Sequence, residues 1–295
     1  MKKGFLLKYN GDAFFKASLA EPLSCLIAAF NASYHLDKDN KTHVMGIKHQ
    51  GNMAILAGCG PMGLGAIDLA INMGKRPRLL VVTDIDEDRI NNAKRILPVE
   101  KAKANGVELI YCNTKEYADV CNSLRQLTDG AGFDDVYVLA PLAPVVEQAD
   151  GIAATDCCIN FFSGPTDKQF CAKLNYYDVH YIGKHVLGTS GGDTEDMRSA
   201  LRLIEKGGIN PAVMVTHIGG LNAAAEATIN LPKIPGGKKL IYSNLDLELT
   251  ALNELEEKGE NNTFYQKLYE IVKENNMLWC SEAENYLLSH CNKII

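Results

Sequence analysis

The sequence predicts an α/β protein of the Rossmann type: a doubly wound parallel sheet of six or more strands, with additional segments at both ends of the chain. Three observations predict it. Apolar runs without polar alternation recur along the chain, as strands buried on both faces require. Helical patterns such as GAIDLAINMG and EDMRSALRLIEKGG stand between these runs, which implies parallel strands joined by right-handed crossovers. A glycine-rich turn, AGCGPMGLG from Ala57 to Gly65, follows the short apolar run MAIL.

Taken in order, residues 1–44 carry a helix that places Leu19, Leu23, Ile27, Phe30 and Tyr34 on one stripe. Strands are expected at residues 53–57, 79–84, 107–112, 135–140, 157–163, 185–188, 212–217 and 238–243. These divide the chain into an N-terminal segment with its lead-in helix (1–44), a dinucleotide-binding domain (45–245) and a polar helical C-terminal segment (246–295). The last segment contains NELEEKGENN and is expected to be partly mobile or to cover an exposed apolar face.

Bulk composition narrows the function. A chain of 295 residues with 46% apolar content supports one large domain or two small ones. The net charge is -6 and no run of like charge forms a nucleic-acid arm. No apolar run is long enough to cross a bilayer, and the GFLL stretch near the start is too short for a signal peptide. The nine cysteines contain no C-x-x-C pair, which argues for reduced thiols in a cytoplasmic protein. A small-molecule substrate is therefore the expected partner, with neither nucleic acid nor membrane.

Gly58, Gly60 and Gly63 form G-x-G-x-x-G, with Pro61 and Met62 between the last two glycines. In a strand–turn–helix context the first glycine permits the turn, the second lets a pyrophosphate approach, and the third lets helix and strand pack closely. The helix N-terminus then offers free N–H groups to the phosphates. Asp84, at the end of the second strand, stands where a carboxylate accepts from an adenosine ribose and repels a 2′-phosphate, favouring NAD over NADP. Arg89 opposes that preference, since an arginine there accommodates the extra phosphate. Asp86 and Asp88 read as helix-start residues.

Ligands of such sheets bind beyond the carboxyl ends of the strands. Ala140 and Pro141, Ser163 and Gly164, and Thr189 and Ser190 end the fourth, fifth and sixth strands and are expected beside the nicotinamide half. Thr189, Asp193 or Thr194 also suits the cap of the next helix. His35, His43 and His49 fall in a loop-like region without metal spacing. His180 and His185, nearer the sheet, read as packed or surface residues. Cys157 and Cys158 read as packed in a strand, with no cation beside them to activate a thiolate.

AGCGPMGLGAIDLA followed by VVTDIDEDR resembles the cofactor domain of zinc-type medium-chain alcohol and polyol dehydrogenases. LAEPLSC resembles the segment that precedes this domain. GTSGGDTEDM, NPAVMVTHIGGLNAAAEA, IPGGKKLIY and NNMLWCSEAENYLL resemble the L-sorbose-1-phosphate reductase branch of that family. The resemblance implies hydride transfer between NAD(H) and a polyol, ketose or sugar phosphate, with zinc polarising the substrate oxygen, and association as a homodimer. It also implies that most of the N-terminal zinc-binding lobe is absent, since no Cys followed by Gly-His-Glu and no four-cysteine cluster occurs. Glu21 matches the family's carboxylate near the zinc and would serve as a ligand only if the missing lobe were supplied. Ser18 and Glu21 equally fit a capping box. The alternatives are a catalytically incompetent NAD-binding fragment or accessory subunit and, more distantly, a methyltransferase using S-adenosylmethionine.

Overall fold

The computed structural model describes residues 6–37 and 39–294, and it divides into two compact units. One comprises Glu21–Ile209 with Leu6 and Leu7, the other Lys8–Ala20 and the chain from Asn210 onward. Among the described residues no helix is long and apolar enough to cross a membrane. All nine cysteines are free thiols.

The chain opens with α1 (Phe14–Ser18) and α2 (Ala20–Ala32). Pro22 stands in the first turn of α2, where a missing N–H breaks no intrahelical bond. Leu23, Leu26, Ile27 and Phe30 bury its inner face. The helix stops before Tyr34, so the expected stripe is one residue too long. The Ser33 carbonyl accepts from Gly46 N at 2.6 Å, and its hydroxyl meets the Tyr137 hydroxyl at 2.7 Å. Tyr34 instead opens a hairpin of β1 (Tyr34–Asp37) and β2 (Thr42–Met45), with Tyr34 opposite Met45. His35 and His43 therefore lie on strands, where a loop was expected.

Six strands follow: β3 (Asn52–Leu56), β4 (Leu79–Asp84), β5 (Glu108–Asn113), β6 (Phe133–Val138), β7 (Ala153–Phe161) and β8 (His185–Gly188). They pair in parallel in the order β5-β4-β3-β6-β7-β8. The connections carry α3 (Pro61–Asn72), α4 (Glu87–Ile96), α5 (Val99–Ala104), α6 (Val120–Gln126), α7 (Ala143–Ile152) and α8 (Tyr176–Tyr181); α9 (Thr194–Glu205) follows β8. Leu56, Val81, Phe133, Val136, Ile152, Cys157 and Ile159 belong to one core cluster of this sheet. The chain runs outward from β3 to β5 and then resumes on the other side at β6. This reversal leaves a crevice over the carboxyl ends of β3 and β6.

The amino ends of the strands hold a different cluster. The register between β6 and β7 shifts between Phe133 and Asp135, and Asp156 takes φ +62° within β7. That bulge turns the Asp156 carboxylate towards Leu36 N at 2.8 Å and His185 Nε2 at 2.9 Å. His35 Nε2 lies 3.1 Å from Asp135 Oδ1, and His35 Nδ1 lies 3.1 Å from the Asp156 carbonyl. Burial pulls the His35 pKa down, but the hydrogen bond and charge of Asp135, with Asp156 behind, outweigh it and leave the pKa raised. A raised histidine stabilises the fold fully below its unfolded pKa, near 6.5, and that contribution fades as pH climbs through the folded value. The urea midpoint should therefore drop from about pH 6 to about pH 8, and His35→Gln should remove that part of the slope. Equal slopes for the two proteins would refute the assignment.

The second unit contains α1, β9 (Val215–Gly220), α10 (Ala224–Ile229), β10 (Lys238–Tyr242), β11 (Thr250–Ala251), α11 (Leu255–Gly259), α12 (Thr263–Glu274) and α13 (Ser281–His290). β10 runs parallel to β9 and β11 antiparallel to it. The last two expected strands thus form a separate sheet with β11, within the compact unit that takes up the chain from Asn210. Pro211 opens a 3-10 turn over Pro211–Met214, which delays the strand expected from 212 to Val215. The Ser18 hydroxyl donates to Phe15 O at 2.8 Å and closes α1, so it does not form the capping box expected with Glu21. The buried Glu284 carboxylate on α13 accepts from Phe14 N at 2.6 Å, Phe15 N at 2.8 Å and the Tyr242 hydroxyl at 2.7 Å. Burial and this carboxylate push the Tyr242 phenol well above its ordinary pKa. Leu255, Leu268, Val272 and Leu287 are fully buried, so the helices of the C-terminal segment have their own packed apolar side.

Candidate functional site

The turn after β3 shows what each glycine does. Ala57 takes φ +54°, and Gly58 N donates to Thr83 O at 2.8 Å. A Cβ on Gly58 would meet Ile55 Cγ2 at 2.7 Å and Val82 Cγ1 at 2.8 Å. A Cβ on Gly63 would lie 1.9 Å from the Gly58 carbonyl oxygen. Around Gly60, by contrast, nothing lies within 4 Å of that position. Gly58 is thus demanded by its contact with β3 and β4, Gly63 by the approach of α3 to the turn, and Gly60 keeps a surface clear, as a phosphate needs. Pro61 starts α3 and Met62 follows, half-buried. The first-turn amides of α3 have no preceding turn to bond.

Asp84 ends β4 and faces this turn. Its Oδ2 accepts from Cys59 N at 3.2 Å, and its Oδ1 from Ile85 N at 2.8 Å and Asp86 N at 3.2 Å. The carboxylate is 5% exposed and lines a cavity of about 730 Å³ with Thr83, Thr114, Asp119 and Gln148. An adjoining groove of about 450 Å³ is lined by Asp86, Glu87, Asp88, Arg89, Asn113 and Lys115. Arg89 Nε lies 3.7 Å from Asp86 Oδ2, and Asp86 caps α4 by accepting from Arg89 N. Burial and then the Asp84 charge push the Cys59 thiol up to about 12, so it stays protonated at neutral pH.

The other predicted residues lie at the carboxyl ends of β6, β7 and β8. Ala140 and Pro141 follow β6, where Leu139 N donates to Leu56 O at 3.0 Å. Ser163 and Gly164 follow β7; Ser163 N donates to Val138 O at 3.1 Å, and Ser163 Oγ is buried with no partner among the described residues. Thr189 and Ser190 follow β8, and the Thr189 hydroxyl donates to Asn160 Oδ1 at 3.3 Å. Asp193, not Thr189, caps α9. His185 lies at the opposite, amino end of β8, and Cys157 and Cys158 are buried in β7.

Sequence reasoning missed Thr114, Asp119, Gln148 and the fully buried amide of Asn160. The rule that ligands sit beyond the strand ends, applied to β5 as well, would have found Thr114. Asn160 is a polar residue in an otherwise apolar run, which was its only signal.

Glu21 is exposed on α2, with Cys25 Sγ 3.4 Å from its Oε1. Burial and the neighbouring Glu21 raise the Cys25 pKa, which holds the thiol protonated. Among the described residues no three His, Cys, Asp or Glu side chains are grouped to hold a metal. A catalytic zinc takes three protein ligands, so the donors around Glu21 do not fit one.

Residues 61–206 match the sequence profile of the zinc-binding dehydrogenases. The mannitol-1-phosphate 5-dehydrogenase of Aliivibrio fischeri is 51% identical over 285 residues, which is 97% of this chain and 67% of that protein. The chain belongs to the zinc-binding dehydrogenase family. Within the family, the L-sorbose 1-phosphate reductase of Klebsiella pneumoniae is 44% identical over 294 residues, covering 100% of this chain and 68% of its own length. The crystal structure of 2R,3R-butanediol dehydrogenase from Bacillus subtilis shares the fold, with a TM-score of 0.62 at 19% identity over 81% of this chain and 60% of that one.

Proposed function

We propose that the chain binds NAD(H) as the dinucleotide-binding part of a medium-chain oxidoreductase acting on a polyol, ketose or sugar phosphate. The observation that carries this reading is the contrast at the glycine turn, with open space at Gly60 beside a helix start and backbone contact at Gly63. In this reading Gly60, Pro61 and Met62 border the pyrophosphate, and Asp84 accepts from the adenosine ribose. Asp86, Glu87 and Asp88 add negative charge next to that ribose and offset Arg89 and Lys115, which supports NAD over NADP. Bound nicotinamide supplies or accepts the hydride. Names of the two sugar-phosphate relatives support the substrate class. Nine free thiols support a reducing compartment such as the cytoplasm.

The donor set around Glu21 favours a second reading, a dinucleotide-binding accessory chain without turnover of its own. Calorimetric titration of the purified chain tests the first. NAD should bind with a Kd below about 1 mM and NADP about tenfold more weakly, the cost of setting a phosphate against Asp84. Absence of heat with NAD, NADH and ADP-ribose at millimolar concentration would overturn it. Turnover of mannitol 1-phosphate or sorbose 1-phosphate with added zinc would exclude the accessory reading.

A further inference from the structure

At the amino ends of the strands, His35 faces two acceptors at once. Its Nδ1 lies 3.1 Å from the Asp156 carbonyl oxygen, and its Nε2 lies 3.1 and 3.2 Å from the two carboxylate oxygens of Asp135. Carbonyl and carboxylate oxygens only accept. A neutral imidazole carries one N–H, so either tautomer turns a lone pair on one of these oxygens. The imidazolium alone satisfies both sides, with a charge-assisted bond to Asp135. Asp135 is fixed in place, since its Oδ2 also holds Lys48 N at 2.8 Å. Asp156 is held as firmly: its carboxylate meets Leu36 N and His185 Nε2, and its own N–H donates to Ile182 O at 2.7 Å.

The hairpin that carries His35 leans on this corner. β1 and β2 form a two-stranded sheet, and all four residues of β2 are exposed. A hairpin of that kind is marginal alone. His35 and Leu36 N place the middle of β1 on Asp135 and Asp156, while its base is anchored separately by Lys75 Nζ on Met45 O at 2.6 Å and by Gly46 N on Ser33 O. Other titratable groups at this corner do not need a charge to make their contacts. His185, from β8, meets an acceptor with Nε2, which a neutral ring can serve. His43, from β2, packs its ring 4.9 Å from that of Tyr34 and 6.4 Å from that of His185. Burial raises the Tyr34 phenol and pushes the Cys158 thiol up to about 11, which keeps both neutral. Lys48 Nζ is paired with Asp134 Oδ1 at 2.6 Å.

We propose that His35 is a pH-sensitive latch: as an imidazolium it fastens the β1–β2 hairpin to the amino ends of β6 and β7, and on losing a proton it lets the hairpin open while the six-stranded sheet stays folded. The sign follows from the raised pKa. The latch is fully closed below the ordinary histidine value of 6.5, and it opens as pH climbs through the higher folded value. This local opening is distinct from a loss of overall stability, because the sheet keeps its own core when the hairpin lifts.

Amide hydrogen exchange on the full chain tests it, with each rate divided by its intrinsic value at the same pH. The series runs past the midpoint of the His35 ring, read from its nitrogen-15 shifts in the same samples. Both ring nitrogens should carry protons at the acid end. Protection of Leu36 N should fall at least about tenfold as the ring titrates, as loss of a charge-assisted hydrogen bond implies. Exchange at Leu36 should stay insensitive to low urea, the mark of a local opening, whereas exchange at Val81 in β4 should accelerate with urea as global unfolding does. His35→Gln, which has no second proton to lose, should show weak Leu36 protection with no such dependence. His185→Gln should keep the dependence, since an amide can still donate to Asp156. The wild-type series decides the matter if His35→Gln fails to fold. A singly protonated His35 ring at the acid end, Leu36 protection that ignores the titration, Leu36 exchange with the urea dependence of Val81, or loss of the effect in His185→Gln would each overturn the proposal.

Discussion

Gly63→Ala should lose both dinucleotide binding and stability, whereas Gly60→Ala should fold like the wild type and lose binding alone. The added methyl at position 63 would stand 1.9 Å from the Gly58 carbonyl oxygen and 2.4 Å from its carbon. Those are backbone atoms of the turn itself, so neither side can rotate away. Overpacking of this kind costs about 3 kcal/mol, and relieving it means moving α3 off β3. The amides at the start of α3 then leave the position in which they could face a phosphate. At position 60 the methyl meets no protein atom within 4 Å. Its backbone, at φ -79° and ψ 176°, is open to any residue. Its only effect would be to fill the space of the ligand, weakening NAD by about 10- to 100-fold as charge-assisted hydrogen bonds lengthen. Urea denaturation and calorimetry on both variants separate the effects. Unchanged NAD affinity in Gly60→Ala would mean that the turn cradles no phosphate.

Glu284→Ala should destabilise the second unit by about 3 kcal/mol, because it strands three donors at once, two of them buried. Phe14 N, Phe15 N and the Tyr242 hydroxyl all rely on this carboxylate. The first two lie some 270 positions earlier in the chain (sequence separations of 270 and 269), so one side chain ties the opening segment to the closing helix. Glu284→Gln keeps the shape but turns an amide NH2 towards donors, and should cost less than alanine yet remain clearly destabilising. Trp279 is the single tryptophan, and its indole N–H donates to the Tyr242 hydroxyl at 2.9 Å. Its emission therefore reads this tether directly: the denaturant midpoint of the red shift should fall in both variants. A midpoint that stays put would show that the carboxylate carries no net weight.

The parallel sheet was legible because its strands are apolar on both faces. β4 and β8 have the expected limits, 79–84 and 185–188. β6 starts two residues before the expected 135, because Phe133 and Asp134 belong to it as well. Strand propensity discounts two adjacent acids. Their partners, Asn52 N and Lys48 Nζ for Asp134 and Lys48 N and His35 for Asp135, lie 82 to 100 residues away and leave no local trace. β9 and β10 were legible as apolar runs but not as a separate sheet, since the third strand is only the pair Thr250–Ala251. At the candidate site, Gly58, Gly60, Gly63 and Asp84 follow from spacing, because a turn is a local object. Asn160 meets Ala29 and Thr189 only because the fold brings them together, which no spacing announces.

The bare surface at Gly60 also bears on how such a chain would evolve. Glycine gives up more backbone freedom on folding than alanine, about 0.5–1 kcal/mol, and nothing in the protein repays that loss at this position. In a lineage released from its nucleotide, selection would stop guarding position 60 long before position 63. Mutational drift at the first with glycine intact at the second would mark descendants that kept the scaffold and abandoned the cofactor.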